Sequence, residues 1–215
     1  MRELVASPAD REARKAFETL AVHDPQFIAR FLAEWVPSGD SEPVRSLGYG
    51  MGSFFAWRCP RDRPLYLRML TRAKDPYIQV AGAIYLSFED PNEGTRALRR
   101  LERLPGDPGT WAALNLARRG DKTAARRALE AFQTHGTYMA NLHRSLQSRI
   151  LVLLSNSAMR SHVAQPGRWF RGMFLSEDTD QVPIYNHYLE WWRTNESKLT
   201  LFDPWLKVLE RQKVE

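Results

Sequence analysis

Seven basic side chains stand in two groups whose spacing suits them to holding anions. Arg96, Arg99, Arg100 and Arg103 recur at i, i+3, i+4 and i+7, the interval that puts side chains on one face of a helix, here opposite Leu98 and Leu101. Lys122, Arg126 and Arg127 follow as a second group. A guanidinium is a planar fork of donors that pairs two-to-two with phosphate or carboxylate, so rows of this kind predict an anion-binding ridge. The plainer alternative is a solvated helix face, with the arginine stems covering apolar surface and Glu102 or Glu130 as partners along the helix. Between positions 96 and 127 there are nine Lys+Arg and three Asp+Glu, and that excess of 6 equals the net charge of the whole 215-residue chain. The positive charge is therefore local, and a polyanion or an acidic protein surface is the partner it suits.

A second candidate surface is aromatic. From position 169 onward come nine of the chain's 24 aromatic residues. Tyr185, Tyr188, Leu189 and Trp192 again fall at i, i+3, i+4 and i+7, an inward stripe that would seal the end of the molecule. Trp169, Phe170 and Trp191 lie off that stripe. Facing outward they would anchor a partner protein, since large rings dominate interface energetics.

Signals for catalysis are sparse. None of the five histidines belongs to a His-Glu-x-x-His pattern, and His187-x-x-Glu190 is a single pairing of the kind that makes a surface hydrogen bond. Gly48-Tyr49-Gly50-Met51-Gly52 lacks the preceding strand and later acid of a dinucleotide site, so small residues at 48, 52 and 56 read as a close approach of two helices. Cys59 is the one cysteine, which excludes an intrachain disulfide framework and a multi-cysteine metal cage, and it reads as a structural thiol. No catalytic residue, metal or cofactor is expected. With 43% hydrophobic and 26% charged residues, and no run near twenty apolar residues, the composition is that of a globular domain rather than a membrane span. Met1-Arg2-Glu3-Leu4-Val5 gives way at once to charged residues instead of an apolar signal core, so a cytoplasmic location is expected.

The elements that position these residues announce themselves through proline. Asp24-Pro25, Asp75-Pro76, Asp90-Pro91, Asp107-Pro108 and Asp203-Pro204 each pair a capping carboxylate with a residue whose missing N–H costs nothing in a first helical turn, and Ser7-Pro8 is a sixth signal of this type. Apolar residues then recur at helical spacing, as in Tyr77, Ala81, Ile84, Tyr85 and Phe88, and no hairpin dipeptide joins two alternating runs. The chain reads as all-α. Helices are expected in antiparallel pairs at 8–22 with 25–36, 43–58 with 61–73, 76–88 with 91–104 and 108–119 with 121–134, then a longer helix at 138–157 and a last pair at 183–196 with 204–213. The stretch 158–182 holds no sustained period and reads as an irregular insert or loop.

A repeat runs through this pattern. Shifting Asp90, Arg96, Ala97, Leu98 and Leu101 by 31 positions lands on Asp121, Arg127, Ala128, Leu129 and Phe132, while Ala81 falls on Ala112 and Tyr85 on Leu116. Paired helices at this period, opened by Asp-Pro, resemble the HEAT-like α-solenoids, in particular the short repeats of bacterial HEAT proteins and phycobilin-lyase-type proteins, over about 43–134. The resemblance implies an α-α superhelix of about five to six stacked antiparallel pairs, with the second helix of each pair lining a concave face. It implies repeats over 1–157, the insert at 158–182, and an aromatic-rich C-terminal cap of the same domain at 183–215. The function expected is a non-enzymatic scaffold that binds an acidic partner protein through the basic groove or the aromatic end. The alternative is nucleic-acid binding, since HEAT-like alkylpurine DNA glycosylases are also all-α and basic along the groove.

Overall fold

The computed structural model describes residues 8–36, 42–58, 63–134, 140–165, 182–204 and 206. Among them every regular element is a helix. In chain order these are α1 (Pro8–His23), α2 (Pro25–Glu34), α3 (Glu42–Arg58), α4 (Arg63–Leu70), α5 (Pro76–Glu89), α6 (Pro91–Leu101), α7 (Gly106–Arg118), α8 (Lys122–Thr134), α9 (Ala140–Arg160) and α10 (Val182–Asn195), with a 3-10 turn, η1, at Glu196–Lys198. The Asp-Pro signals act as expected at three starts: Asp24 accepts from the Phe27 amide at 3.0 Å, Asp75 from Ile78 at 2.9 Å and Asp90 from Glu93 at 2.9 Å. Asp121, the 31-residue counterpart of Asp90, caps α8 in the same way through the Ala124 amide at 2.9 Å.

The fourth signal behaves differently. α7 begins at Gly106 behind Pro105, and Asp107 is a buried first-turn residue rather than the cap. Gly109 lies against the Leu104 carbonyl, so the chain enters this helix earlier and more tightly than Asp107-Pro108 implies. α9 continues to Arg160, three residues past its expected end, and α10 begins at Val182; positions 166–181 of the expected insert lie outside the described residues.

Two helices end in the same closing motif. After α7, Gly120 (φ 100°) donates to the Ala117 carbonyl at 2.9 Å and Asp121 to Leu116 at 3.2 Å. After α9, His162 (φ 54°) donates to Met159 at 3.3 Å and Val163 to Ala158 at 3.0 Å. This six-to-one closure needs a left-handed residue, a conformation glycine adopts without a Cβ penalty. His162→Gly is therefore expected to stabilise the chain by about 0.5–1 kcal/mol. A thermal midpoint at or below that of the parent protein would count against it.

The described chain divides into two compact units, Met1–Ala97 and Leu98–Glu215, with the division inside α6. In the first unit α1 packs on α2 and on α3, α3 on α4 and on α5, and α2 on α4. Their shared core holds Ile28, Leu32, Phe55, Leu67, Leu70, Ile78 and Leu86. Small residues allow the close approach expected of them: a Cβ on Gly48 would meet Asp75 Oδ1 at 2.8 Å and Trp35 Cζ3 at 2.9 Å, and one on Gly52 would meet Ala81 Cβ at 3.1 Å. At Gly94 a Cβ would overlap the Ser87 backbone itself.

Asp75 carries a cost for its position. Its side chain is buried beside α3, and that burial raises its carboxyl pKa above the ordinary 3.8 although the Ile78 and Tyr77 amides pull it down. The folded chain thus holds this proton to higher pH than the unfolded chain. The resulting stability is complete below the unfolded value and is lost as pH rises through the folded one. Asp75→Asn keeps a capping oxygen without the charge. Relative to wild type, the variant should be more stable at about pH 7 than at about pH 4 by urea unfolding; an equal difference at both pH values would refute this.

In the second unit α7 packs on α8 and α9, α8 on α9 and α10, and α10 on η1. α7 is enclosed on every side, from Asp107 to Ala117, which its alanines permit by keeping the helix narrow. Its buried Asn115 is satisfied locally, donating to the Trp111 carbonyl at 2.9 Å and accepting from Arg118 Nη1 at 3.2 Å. Arg118 also pairs with Asp203, and both side chains are largely buried. Asp203 ends a non-helical strap that follows η1 and is held from α9 and the turn after it: Ser161 Oγ accepts the Thr200 amide at 2.8 Å and Ser157 Oγ the Phe202 amide at 2.9 Å. On α10 the expected stripe is buried at Tyr188, Leu189 and Trp192, and burial pushes the Tyr188 phenol up to about 12.

Candidate interaction surface

α6 and α8 are built alike. Each begins behind a capping aspartate, turns a narrow apolar stripe inward (Leu98 and Leu101 on α6, Ala125, Ala128 and Leu129 on α8) and carries arginines on the remaining surface. The inward stripe fixes the rotation of each helix, which exposes Arg96, Arg99 and Arg100 on α6 and Arg126 and Arg127 on α8; α6 ends at Leu101, three residues before its expected end, so Arg103, also exposed, stands in the turn beyond the helix rather than on its face.

Exposure does not make these arginines equivalent. Within the second unit, Arg99 pairs with Asp121 and lies 3.5 Å from Glu102 Oε1, and Arg127 meets the same Glu102 oxygen at 3.0 Å. Glu102 is the inner member of this cluster, its side chain 5% exposed against 48% for Arg99 and 49% for Arg127. Lys122 is half-buried and donates to the Glu196 carbonyl of η1 at 2.6 Å. Arg100 has contacts of its own within the chain. Arg96, Arg103 and Arg126 remain, exposed and without an ion-pair partner among the described residues.

The Arg99–Glu102 contact is the pairing along the helix that the spacing i, i+3 offers. The Arg127–Glu102 contact joins side chains 25 positions apart and leaves no local signature. Asp121 carried one signal, as a cap, and the cap is made; its additional ion pair with Arg99 comes only from the way α6 meets α8.

The aromatic candidates divide similarly. Trp191 is half-buried, and its Nε1 donates to the Ala164 carbonyl at 2.9 Å, tying α10 to the segment after α9. Trp169 and Phe170 lie outside the described residues, as does Cys59. His187 is exposed, and Glu190 pairs with Arg193 at 3.7 Å. Among the described residues no three His, Cys, Asp or Glu side chains are grouped to hold a metal ion, and no helix is long and apolar enough to cross a membrane.

The chain was compared with protein-family models, curated proteins and solved structures. None matches. The positive charge of the chain is concentrated over positions 96–127, which hold the arginines of α6 and α8.

Proposed function

We propose that the chain is a HEAT-like helical-repeat scaffold that binds an acidic surface of another protein through the outward arginines of α6 and α8. Two features support the solenoid reading. Within each unit alternate helices pack together, α1 on α3 and α3 on α5, α2 on α4, α7 on α9 and α8 on α10, as in a stack of helical hairpins. The 31-residue correspondence extends to chemistry, because Asp90 and Asp121 cap equivalent helices and Leu98 and Leu129 are both buried.

The binding reading rests chiefly on Arg103 and Arg126 of the second unit, which are exposed with no carboxylate to answer them among the described residues. Charges of this kind steer an oppositely charged partner and fix its register. The aromatic end has weaker support, since Trp191 already serves an internal hydrogen bond. In this reading the scaffold works in a reducing compartment, in keeping with its single cysteine.

The test is recovery of the tagged chain from its own cells, comparing wild type with Arg103→Glu/Arg126→Glu. Partners retained by wild type should be lost by the double variant, with the thermal midpoint of the chain little changed. Identical partners from both proteins would remove the proposal.

A further inference from the structure

On the reading just given, we infer that the exposed arginines of the second unit other than Arg100 divide into two fixed guanidinium groups and two reaching ones, and that the reaching groups, Arg103 and Arg126, take the carboxylates of an acidic protein segment rather than a nucleic-acid backbone. The division follows from the carboxylates behind the surface. Glu102 is almost wholly enclosed, and its Oε1 is shared between Arg99 and Arg127. Its Oε2 is buried with no hydrogen-bond donor among the described residues, so those two guanidinium groups are the main compensation of its charge. Asp121 holds Arg99 from the other side while capping α8. Two acids thus neutralise two bases, and the outer edges of Arg99 and Arg127 are held in place as positioning residues.

Counting what remains decides the class of partner. Each phosphate neutralised on duplex DNA contributes about −0.9 to the slope of log affinity against log salt, so two contacts give about −1.8, roughly a 12-fold loss between 50 and 200 mM salt. Duplex-binding faces of six to ten contacts lose about 10³–10⁵ over the same range. Two unpaired guanidinium groups are too few to follow a phosphate backbone, whose affinity rests on many contacts in a row. An acidic protein segment brings separate carboxylates that meet the arginines one by one.

The experiment uses the full chain with two fluorescent probes, an oligo-glutamate peptide and a mixed-sequence DNA duplex, together with thermal unfolding of each variant. Wild type should bind the peptide more tightly than the duplex. Arg103→Gln/Arg126→Gln should weaken the peptide about tenfold or more with an unchanged midpoint, because neither side chain is used internally. Arg99→Gln/Arg127→Gln should lower the midpoint by several degrees and change peptide affinity less than about threefold. If that double variant does not fold, Arg127→Lys, which keeps the charge but not the fork, should show the same separation in milder form. Tighter binding of the duplex, with a salt slope steeper than about −5, would overturn the assignment of partner class. Equal loss of peptide binding in the two double variants would overturn the division while leaving the binding face intact. Failure of wild type to bind either probe would instead remove the proposed function on which the inference rests.

Discussion

Gly94→Ala is expected to destabilise the first unit by about 2 kcal/mol, enough to lower a thermal midpoint by roughly 10 °C. The added methyl would occupy the same space as the Ser87 backbone, where α6 crosses α5. A flexible side chain can turn aside from such a contact, but a helix backbone can move only by carrying its hydrogen-bonded turn with it. Alanine's advantage in helix propensity, about 1 kcal/mol, acts in the opposite direction and is too small to win. Gly50→Ala in α3 isolates that advantage, because a Cβ there meets nothing within 4 Å; it should stabilise by about 0.5–1 kcal/mol. The two variants, compared by urea unfolding, should therefore move in opposite directions. A neutral or stabilising Gly94→Ala would mean that α5 and α6 do not cross this closely.

The second large effect is expected at the strap. Asp203→Ala should cost about 3–5 kcal/mol, because it leaves the Arg118 guanidinium, 13% exposed, without its carboxylate. Most of that cost belongs to the abandoned charge rather than to the lost attraction. Replacing both partners by apolar residues, Arg118→Met with Asp203→Leu, should consequently recover most of the stability lost by Asp203→Ala alone. The amides of Thr200 and Phe202 would still be held by Ser161 and Ser157 in either variant. A double variant no more stable than the single one would show that the ion pair, and not the relief of an isolated charge, holds this segment.

What could be read from the chain before its structure depended on how local the cause was. The helix starts behind Asp24, Asp75 and Asp90 are decided by a carboxylate and a proline three or fewer residues from the amide concerned, so their position was legible. The start of α7 was misplaced by two residues because Gly106, with φ 71°, and Gly109, against the Leu104 carbonyl, draw the chain into the helix ahead of Asp107. The enclosure of α7 was likewise illegible. Its composition of alanine, leucine and asparagine suits one buried face or all of them, and the choice is made by neighbours distant in sequence. At the arginine face, periodicity identified which side chains reach the surface, but the sharing of Glu102 between Arg99 and Arg127 depends on how α6 meets α8. Side-chain type therefore marked the cationic region, and only tertiary packing separated its internal ties from its outward charges.

One consequence reaches beyond single substitutions. Asp121 receives the corner's backbone geometry from Gly120, shields the first amides of α8 and orients Arg99, all within one residue. Genetic change there would be epistatic: a replacement harmless to one of these duties would still fail in the others unless positions 99 and 120 altered with it. Divergence among descendants of this chain should accordingly be slower at the α7–α8 corner than at the outward arginines, which carry no such shared duties among the described residues.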